Sequence, residues 1–359
     1  GNLGEMKSKP TQNAVRQLNS YGLNADFIVA RSEVPLDEKR KEKIAISCNV
    51  PTERIISAPD IQSIYDVPEN FKRDGFADML EKALALKPKK TDLTAWSTFV
   101  KKVHGAKKEI TIAVVGKYFD TGDFVLSDAY VSVIEAIKFS SYALGVKPRL
   151  VWLNAKNFEG GDKKVKEMCE KELRHVSGII VPGGFGASGI EGKINVIRYA
   201  REQKIPYFGL CYGMQLLVIE YARHVAGLPK AHTTEIDAHA PDKIIDIMEH
   251  QKKLVGEGKY GASMRLGKYT CELKEGTLAE KAYKDARVGE IKKGRHTIYE
   301  RHRHRYEVNN EYIQHLEKAG LVFSGTSPDK WLMEIAELPK NKHPFFLGTQ
   351  FHPEFLARP

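Results

Sequence analysis

"PYFGLCYGMQLLVIE" occupies residues 206–220 and sets one cysteine between two glycines, where two hydrophobic patterns meet. Residues 205–210 form a short β-branched and aromatic run punctuated by Pro206 and Gly209, the pattern of a buried strand. Beyond Met214 the apolar residues recur as Leu217, Val218, Tyr221, Ala222 and Val225, the stripe of an amphipathic helix that stops at Gly227 and Pro229. Cys211 therefore falls on a strand-to-helix turn, where Gly209 and Gly213 let the backbone close tightly without a Cβ clash. A thiol there meets unpaired helix N–H groups and the positive end of the helix dipole, which favour thiolate over thiol. The same N–H groups can hold an oxyanion. A cysteine can also be simply a small buried hydrophobe, and the glycine-flanked elbow is what favours the reactive reading.

The 359 residues suffice for two domains, each with its own core. Hydrophobic residues make up 42% and charged residues 28%, the balance of a folded globular chain and not of a disordered one. No apolar stretch is long enough for a membrane span, and "GNLGEMKSKP" lacks the charged flank and apolar core of a signal peptide. The four cysteines, Cys48, Cys169, Cys211 and Cys271, are scattered without a CxxC pair. That disfavours a disulfide framework or a zinc site and fits a reducing, cytoplasmic setting. The formal charge of +10 raises nucleic acid as a partner, but lysines mix with glutamates, as in "KKVKEMCEKEL", the pattern of a solvated helix face. Small phosphate-bearing ligands explain local basic clusters equally well, so neither nucleic acid nor membrane is expected as a partner.

Residues 1–95 and 109–359 read as different units joined by a linker at 96–108. In the first, helix "TQNAVRQLNSYGL", strand "ADFIVARS" and helix "PLDEKRKEKIAISCNV" lead into a loop-and-turn stretch reaching "SIYDVPENFKRDG". These elements are too few to cover both faces of a sheet, so the segment reads as the tail of a larger domain. The linker region carries one amphipathic helix around Trp96 and Phe99. From Glu109, strands "ITIAVVGKY", "RLVWLNA" and "GIIVPGGFG" alternate with helices "AYVSVIEAIKFSSYAL", "KVKEMCEKELRH" and "INVIRYAREQ" before the cysteine elbow. This is the alternation of a doubly wound, mostly parallel α/β sheet, whose ligands gather at the C-terminal strand ends. "ASMRLGKYTCEL", "YEVN", "LVFSGTS" and "LMEIAELP" read as short antiparallel additions.

A nucleophilic cysteine needs a base and a group that orients the base. "QFHPEF" at 350–355 supplies both: side chains at i and i+2 of an extended segment share a side, so Glu354 can accept from the ring of His352. "VPGGFG" at 181–186 ends a Val/Ile-rich strand, and its paired glycines let backbone N–H groups approach a ligand. Alone it is an ordinary strand-to-helix turn. With Cys211 and His352 it proposes an acyl-transfer site of thiolate, imidazole, carboxylate and oxyanion donors.

"VPGGFG", "GLCYGMQ" and "FHPE" resemble the glutaminase domain of the class I amidotransferases, and "GKY…DAYVSVIEAI", "MRLG" and "ERHRHRYEVNN" narrow the resemblance to the CTP synthase family. "GEMKSKPTQ" is similar to that family's Lys-Thr-Lys-Pro-Thr-Gln stretch, with Ser8 for threonine, and "RSEVP…KIAISCNVP…SIYDVP" continues the likeness over nearly the whole chain. The resemblance implies glutamine hydrolysis, passage of ammonia to a synthetase domain, and amination of UTP at C4 with ATP and magnesium. GTP is the family's allosteric activator, and its full-length members are homotetramers. No cofactor and no metal are implied for the glutaminase domain itself.

By that resemblance Cys211 is the nucleophile, His352 the general base and acid, and Glu354 the orienting carboxylate. The N–H groups of Gly184 and Tyr212 are the implied oxyanion donors; the family often has leucine at Tyr212, to which a backbone donor is indifferent. Glutamine recognition carries over to Gly184, Gln215, Glu235 and Arg305, a carboxylate for the ammonium and a cation for the carboxylate. Lys7, Lys9, Gln12 and Lys43 match positions that bind UTP or inhibitory CTP. In "RHRHR" the alternating His302 and His304 on their own suggest a metal or a nucleic-acid stripe, whereas the resemblance implies a lid region between glutamine and GTP. Arg303 and Lys117 are the implied GTP contacts.

The 359 residues contain no GxxxxGK[ST] phosphate loop. The family's ATP site lies upstream of "GEMKSKPTQ", and its closing helix follows the position of "FLARP". The expectation is a glutaminase half with the C-terminal remnant of a synthetase domain, partnered by the missing synthetase portion and capable of at most the glutaminase reaction. Two other readings stand beside it. One is a different Cys-elbow enzyme such as a γ-glutamyl hydrolase, against which KxKPTQ and "RHRHRYEVNN" speak. The other is a non-catalytic nucleotide-sensing or assembly module, which would require a broken triad.

Overall fold

In the computed structural model, residues 7–87, 92–117, 130–247, 264–292 and 294–359 are described. The first residues of "GNLGEMKSKP" and of "ASMRLGKYTCEL", Tyr118 at the end of "ITIAVVGKY" and Ala129 at the start of "AYVSVIEAI" lie outside the described residues. The chain divides into two units, Gly1–His104 and Gly105–Pro359.

The first unit contains α1 (Lys9–Ser20), β1 (Ile28–Ser32), α2 (Glu38–Cys48), β2 (Ile55–Pro59), α3 (Val67–Arg73), α4 (Phe76–Ala83) and α5 (Thr94–Gly105). β1 and β2 pair in parallel, so Ile28 and Ile55 face α1 and α2 residues in one small core with Val15, Ile44 and Cys48. Asp37 caps α2 by accepting from Arg40 N–H, and Asn49 ends it in the left-handed conformation. Two differences from the sequence reading appear. The stretch expected as loop and turn holds β2 and α3, because Ile55 and Ile56 find a partner strand far away in sequence. The helix expected around Trp96 and Phe99 is present as α5, but it belongs almost wholly to the first unit. Trp96 Nε1–H donates to the Tyr65 carbonyl at 2.9 Å and the Phe99 ring lies 5.1 Å from that of Tyr65, so burial of these aromatics ties α5 to the first unit.

The second unit runs β3 (Lys108–Gly116), α6 (Val131–Ala143), β4 (Val146–Asn154), α7 (Asp162–Leu173), β5 (Gly178–Val181), α8 (Ile190–Glu202), β6 (Tyr207–Leu210), α9 (Tyr212–His224), β7 (Ala231–Thr233), β8 (Asp242–Ile247) and β9 (Arg265–Leu273). It continues through α10 (Leu278–Asp285), β10 (Glu290–Lys292), β11 (Arg295–His304), β12 (Tyr306–Val308), α11 (Ile313–Ala319), β13 (Val322–Thr326), β14 (Met333–Glu337) and β15 (Phe346–Thr349). Among the described residues one 10-stranded sheet has the order β10-β11-β9-β13-β14-β15-β6-β5-β3-β4, and a 3-stranded sheet has the order β12-β8-β7. From β15 to β4 the large sheet is parallel; from β14 outward it is antiparallel. The architecture is thus α/β, with a parallel part and antiparallel additions.

Ala113, Val114, Val115, Ile179 and Val181 are buried as continuous runs, as strands covered on both faces must be. α9 departs from the amphipathic pattern, since residues 212–222 are all buried. The helix packs on β6 and β15 of the large sheet but also against α8, β7 and β8. Its polar positions are satisfied internally: Glu220 accepts from Arg201 Nε at 3.0 Å and from Nη2 at 2.9 Å. Among the described residues no helix is long and apolar enough to cross a membrane.

Candidate active site

The corner between β6 and α9 is the one the glycines anticipate. A Cβ on Gly209 would lie 2.6 Å from the Gly213 carbonyl carbon, and one on Gly213 would collide with the Val181 carbonyl oxygen. Cys211 sits at the N-cap of α9 with φ of +50°, a conformation that L side chains rarely adopt. Surrounding bonds hold it there: its N–H donates to the Thr349 carbonyl at 2.7 Å, and its own carbonyl accepts from Met214 and Gln215 at 3.0 and 3.2 Å.

β15 leads to the second expected site residue. Past Thr349 the chain carries His352, whose backbone N–H donates to the Arg301 carbonyl on β11 at 2.8 Å. Its Nδ1 lies 2.7 Å from Glu354 Oε1, and the ring stacks on Phe355 at 4.8 Å. A Cβ on Gly183 would stand 2.7 Å from His352 Cε1 and 3.6 Å from Cys211 Cβ, so only glycine leaves the imidazole room beside the thiol. Burial by itself would strip the ring of its proton. Hydrogen bonds to Cys211 and Glu354 outweigh it and push the His352 pKa up to about 10.

The "PGGFG" loop is braced from below. Lys117 Nζ donates to the carbonyls of Phe185 and Gly186 at 2.6 and 2.9 Å, Tyr212 Oη–H donates to Gly186 at 3.3 Å, and Gly186 N–H donates to Glu235 Oε1 at 2.8 Å. Beneath it lies Lys193, 1% exposed, with Nζ 5.3 Å from the Tyr212 ring centroid and no hydrogen-bond acceptor among the described residues. Burial, reinforced by Lys117, brings its pKa down to about 7. The sequence reading missed Lys193, although it falls on the buried stripe of Ile190, Ile194 and Ile197 on α8.

A cavity of about 310 Å³ brings Gly184, Cys211, Arg303, His352 and Glu354 together, with Phe185 at its wall. Gln215, Glu235 and Arg305 are not among its lining residues. The Gln215 amide is engaged internally, Nε2 donating to the Tyr306 carbonyl at 2.9 Å and to Gln350 Oε1 at 3.2 Å. "RHRHR" is the end of β11 and the turn into β12: Arg301 and Arg303 are exposed, whereas His302 and His304 are buried and 2.9 Å apart. Behind them Arg265 pairs with Glu307 at 3.0 Å and Glu334 at 2.9 Å, a buried network the sequence reading did not find. Burial pushes both carboxyls up and Arg265 pulls them back. Among the described residues no group of three His, Cys, Asp or Glu side chains could hold a metal ion. In the first unit, Lys7 and Lys43 are exposed, Lys9 opens α1, and Gln12 is buried with Nε2 donating to Ser8 Oγ at 3.1 Å.

Comparison with known proteins finds relatives of both units. The family described as glutamine amidotransferase class-I matches residues 125–359, and the one described as CTP synthase N-terminus matches residues 1–86. The CTP synthase of Caldanaerobacter subterraneus subsp. tengcongensis is 46% identical over 359 residues, covering 100% of this chain and 62% of that protein. That of Thermococcus gammatolerans is 47% identical over 358 residues, covering 99% of this chain and 62% of that protein. The chain thus spans about three-fifths of the length of these relatives. Among solved structures, the glutaminase domain of Trypanosoma brucei CTPS with bound acivicin superposes with a TM-score of 0.59 at 34% identity, covering 68% of this chain and 86% of that one. With an elbow cysteine, a His-Pro-Glu after the neighbouring strand and matches over both units, the chain belongs to the class I glutamine amidotransferase family, among the CTP synthases.

Proposed function

We propose that this chain hydrolyses glutamine through a Cys211–His352–Glu354 triad and that the ammonia serves the ATP-dependent amination of UTP to CTP. The observation that carries the reading is the imidazole of His352, held by Glu354 at 2.7 Å in the cavity that Cys211 also lines. In this mechanism His352 takes the thiol proton and the sulfur attacks the side-chain amide carbon of glutamine. The oxyanion is held by N–H groups of Gly184 and Tyr212, the latter at the unpaired start of α9. His352 then gives its proton to the departing ammonia, leaving a thioester. A water activated by the same ring releases glutamate.

Glu235 and Arg305 are proposed to hold the ammonium and carboxylate of the substrate, with Gln215 behind the cysteine. Lys7, Lys9, Gln12 and Lys43 are proposed for UTP or CTP, and Arg303, exposed beside Phe185, with Lys117 for GTP. ATP and magnesium belong to the amination step, for which the 359 residues hold no GxxxxGK[ST] loop. We assign the glutaminase reaction to the second unit, in a cytoplasmic setting. The test is the release of glutamate and ammonia from glutamine, with and without GTP. Equal amounts of the two products, lost in Cys211→Ala, support the proposal, and glutamine left intact by the folded protein under both conditions contradicts it.

A further inference from the structure

Cys211 has a second polar neighbour that the triad does not use. Gln350 is 0% exposed, and its Nε2 lies 3.7 Å from Cys211 Sγ. Its backbone N–H donates to the carbonyl of Glu334 on β14 at 2.8 Å, which ties the residue after β15 to that strand. An amide can turn either its oxygen or its nitrogen toward a sulfur. Here the choice is made by Gln215, whose Nε2 donates to Gln350 Oε1 at 3.2 Å and is itself held by the Tyr306 carbonyl at 2.9 Å. With its oxygen taken, Gln350 presents the N–H side to the sulfur.

A second group near the sulfur has the opposite effect. The Arg303 carbonyl oxygen lies 3.9 Å from Sγ, where its lone pairs suit a thiol and oppose a thiolate. An N–H donor favours the charged sulfur. The charged and titratable groups around it are His352 and Glu354 after β15 and Arg303 on β11, with the His302–His304 pair and the Arg265–Glu307–Glu334 cluster further along the sheet. The Gln350 amide does not titrate, so its effect persists at every pH at which those groups change.

We infer that Gln350 is a catalytic residue of the cysteine site: its Nε2–H donates to the Cys211 sulfur, stabilises the thiolate and fixes its direction, with Gln215 setting the orientation of the amide. The inference rests on Cys211 as the nucleophile. For a thiol whose pKa lies above the working pH, a donor to the thiolate raises the thiolate fraction more than it lowers intrinsic nucleophilicity, because nucleophilicity follows basicity with a slope of about one half. The net result is a faster attack.

Two variants test this. Gln350→Glu keeps the shape and an acceptor for Gln215 Nε2 but replaces the donor with oxygen; Gln350→Met keeps the volume without any donor. The probe is iodoacetamide, which alkylates Cys211 without needing the glutamine pocket, followed by peptide mapping. In the folded variants the Cys211 alkylation rate at neutral pH should fall about tenfold, more in Gln350→Glu. The kcat for glutamine should fall in step while KM stays within about twofold. Alkylation and kcat within about twofold of wild type in whichever variant folds would overturn the inference. So would a change confined to KM, which marks a substrate contact. Absence of Cys211 alkylation in the wild type would instead overturn the nucleophile assignment itself.

Discussion

His352 Nδ1 lies 2.7 Å from Glu354 Oε1, and this contact leaves the opposite edge of the ring for Cys211. The roles proposed for the two residues are therefore separable: the imidazole would move protons and the carboxylate orient it. His352→Ala should lower the glutaminase kcat by about 100-fold or more, and Glu354→Gln should retain roughly 10- to 100-fold more activity than His352→Ala. Steady-state ammonia release measures both, and near-wild-type rates in both would place the base elsewhere.

The raised pKa of His352 makes stability depend on pH. The folded state holds the ring proton more tightly than the unfolded state does. That contribution is fully present below about pH 6.5 and is lost as pH rises through about 10. Thermal unfolding between pH 7 and 10 should show a smaller alkaline loss in His352→Ala than in the wild type. A parallel pH dependence in the two proteins would contradict the assignment.

Lys193 acts with the opposite sign in the same window. Its pKa falls to about 7 on burial, so the unfolded chain binds the extra proton between about pH 7 and 10.5, and this group's contribution to stability rises with pH there. Below pH 7 its destabilising effect is complete. Lys193→Met keeps the aliphatic stem and should stabilise the fold at neutral pH by about 1–3 kcal/mol, read from urea unfolding. Lower stability in this variant would show that the ammonium has a partner on which the fold depends.

Two glycines should fail in different ways. An alanine methyl at Gly183 would stand 2.7 Å from His352 Cε1 and displace the ring, lowering kcat about 100-fold with little effect on stability. At Gly213 the methyl would collide with the Val181 carbonyl, which is backbone, and should destabilise the fold by about 2–4 kcal/mol. Kinetics and denaturant unfolding on the two variants separate the effects, and the reverse pattern would be incompatible with the elbow described here.

The proposed triad was legible in the sequence because each member sits in a local signal: Cys211 in a glycine-flanked turn, His352 and Glu354 two residues apart in one extended segment. The side chains that support it are brought in from distant strands, and local pattern carries no trace of that. Arg265 meets Glu307 and Glu334 only because β9, β12 and β14 converge. α9 read as amphipathic because Gln215 and Glu220 interrupt its apolar run, yet both are buried against partners far along the chain. Two signals were present and went unused. The alternation in "RHRHR" is that of a strand with histidines inward and arginines outward, and Lys193 stands on an apolar helical stripe.

The most direct test of the account is the site at which a glutamine-mimicking electrophile labels the protein, located by peptide mapping. Cys48, Cys169 and Cys271 are buried thiols, each made harder to ionise by burial; Cys169 is pushed up to about 12, with Glu170 adding to the effect. Cys211 alone lines the cavity shared with His352. The account predicts one label per chain, on Cys211, with parallel loss of ammonia release and no labelling in Cys211→Ala. A label found mainly on Cys48, Cys169 or Cys271, or ammonia release that survives full modification of Cys211, would contradict it.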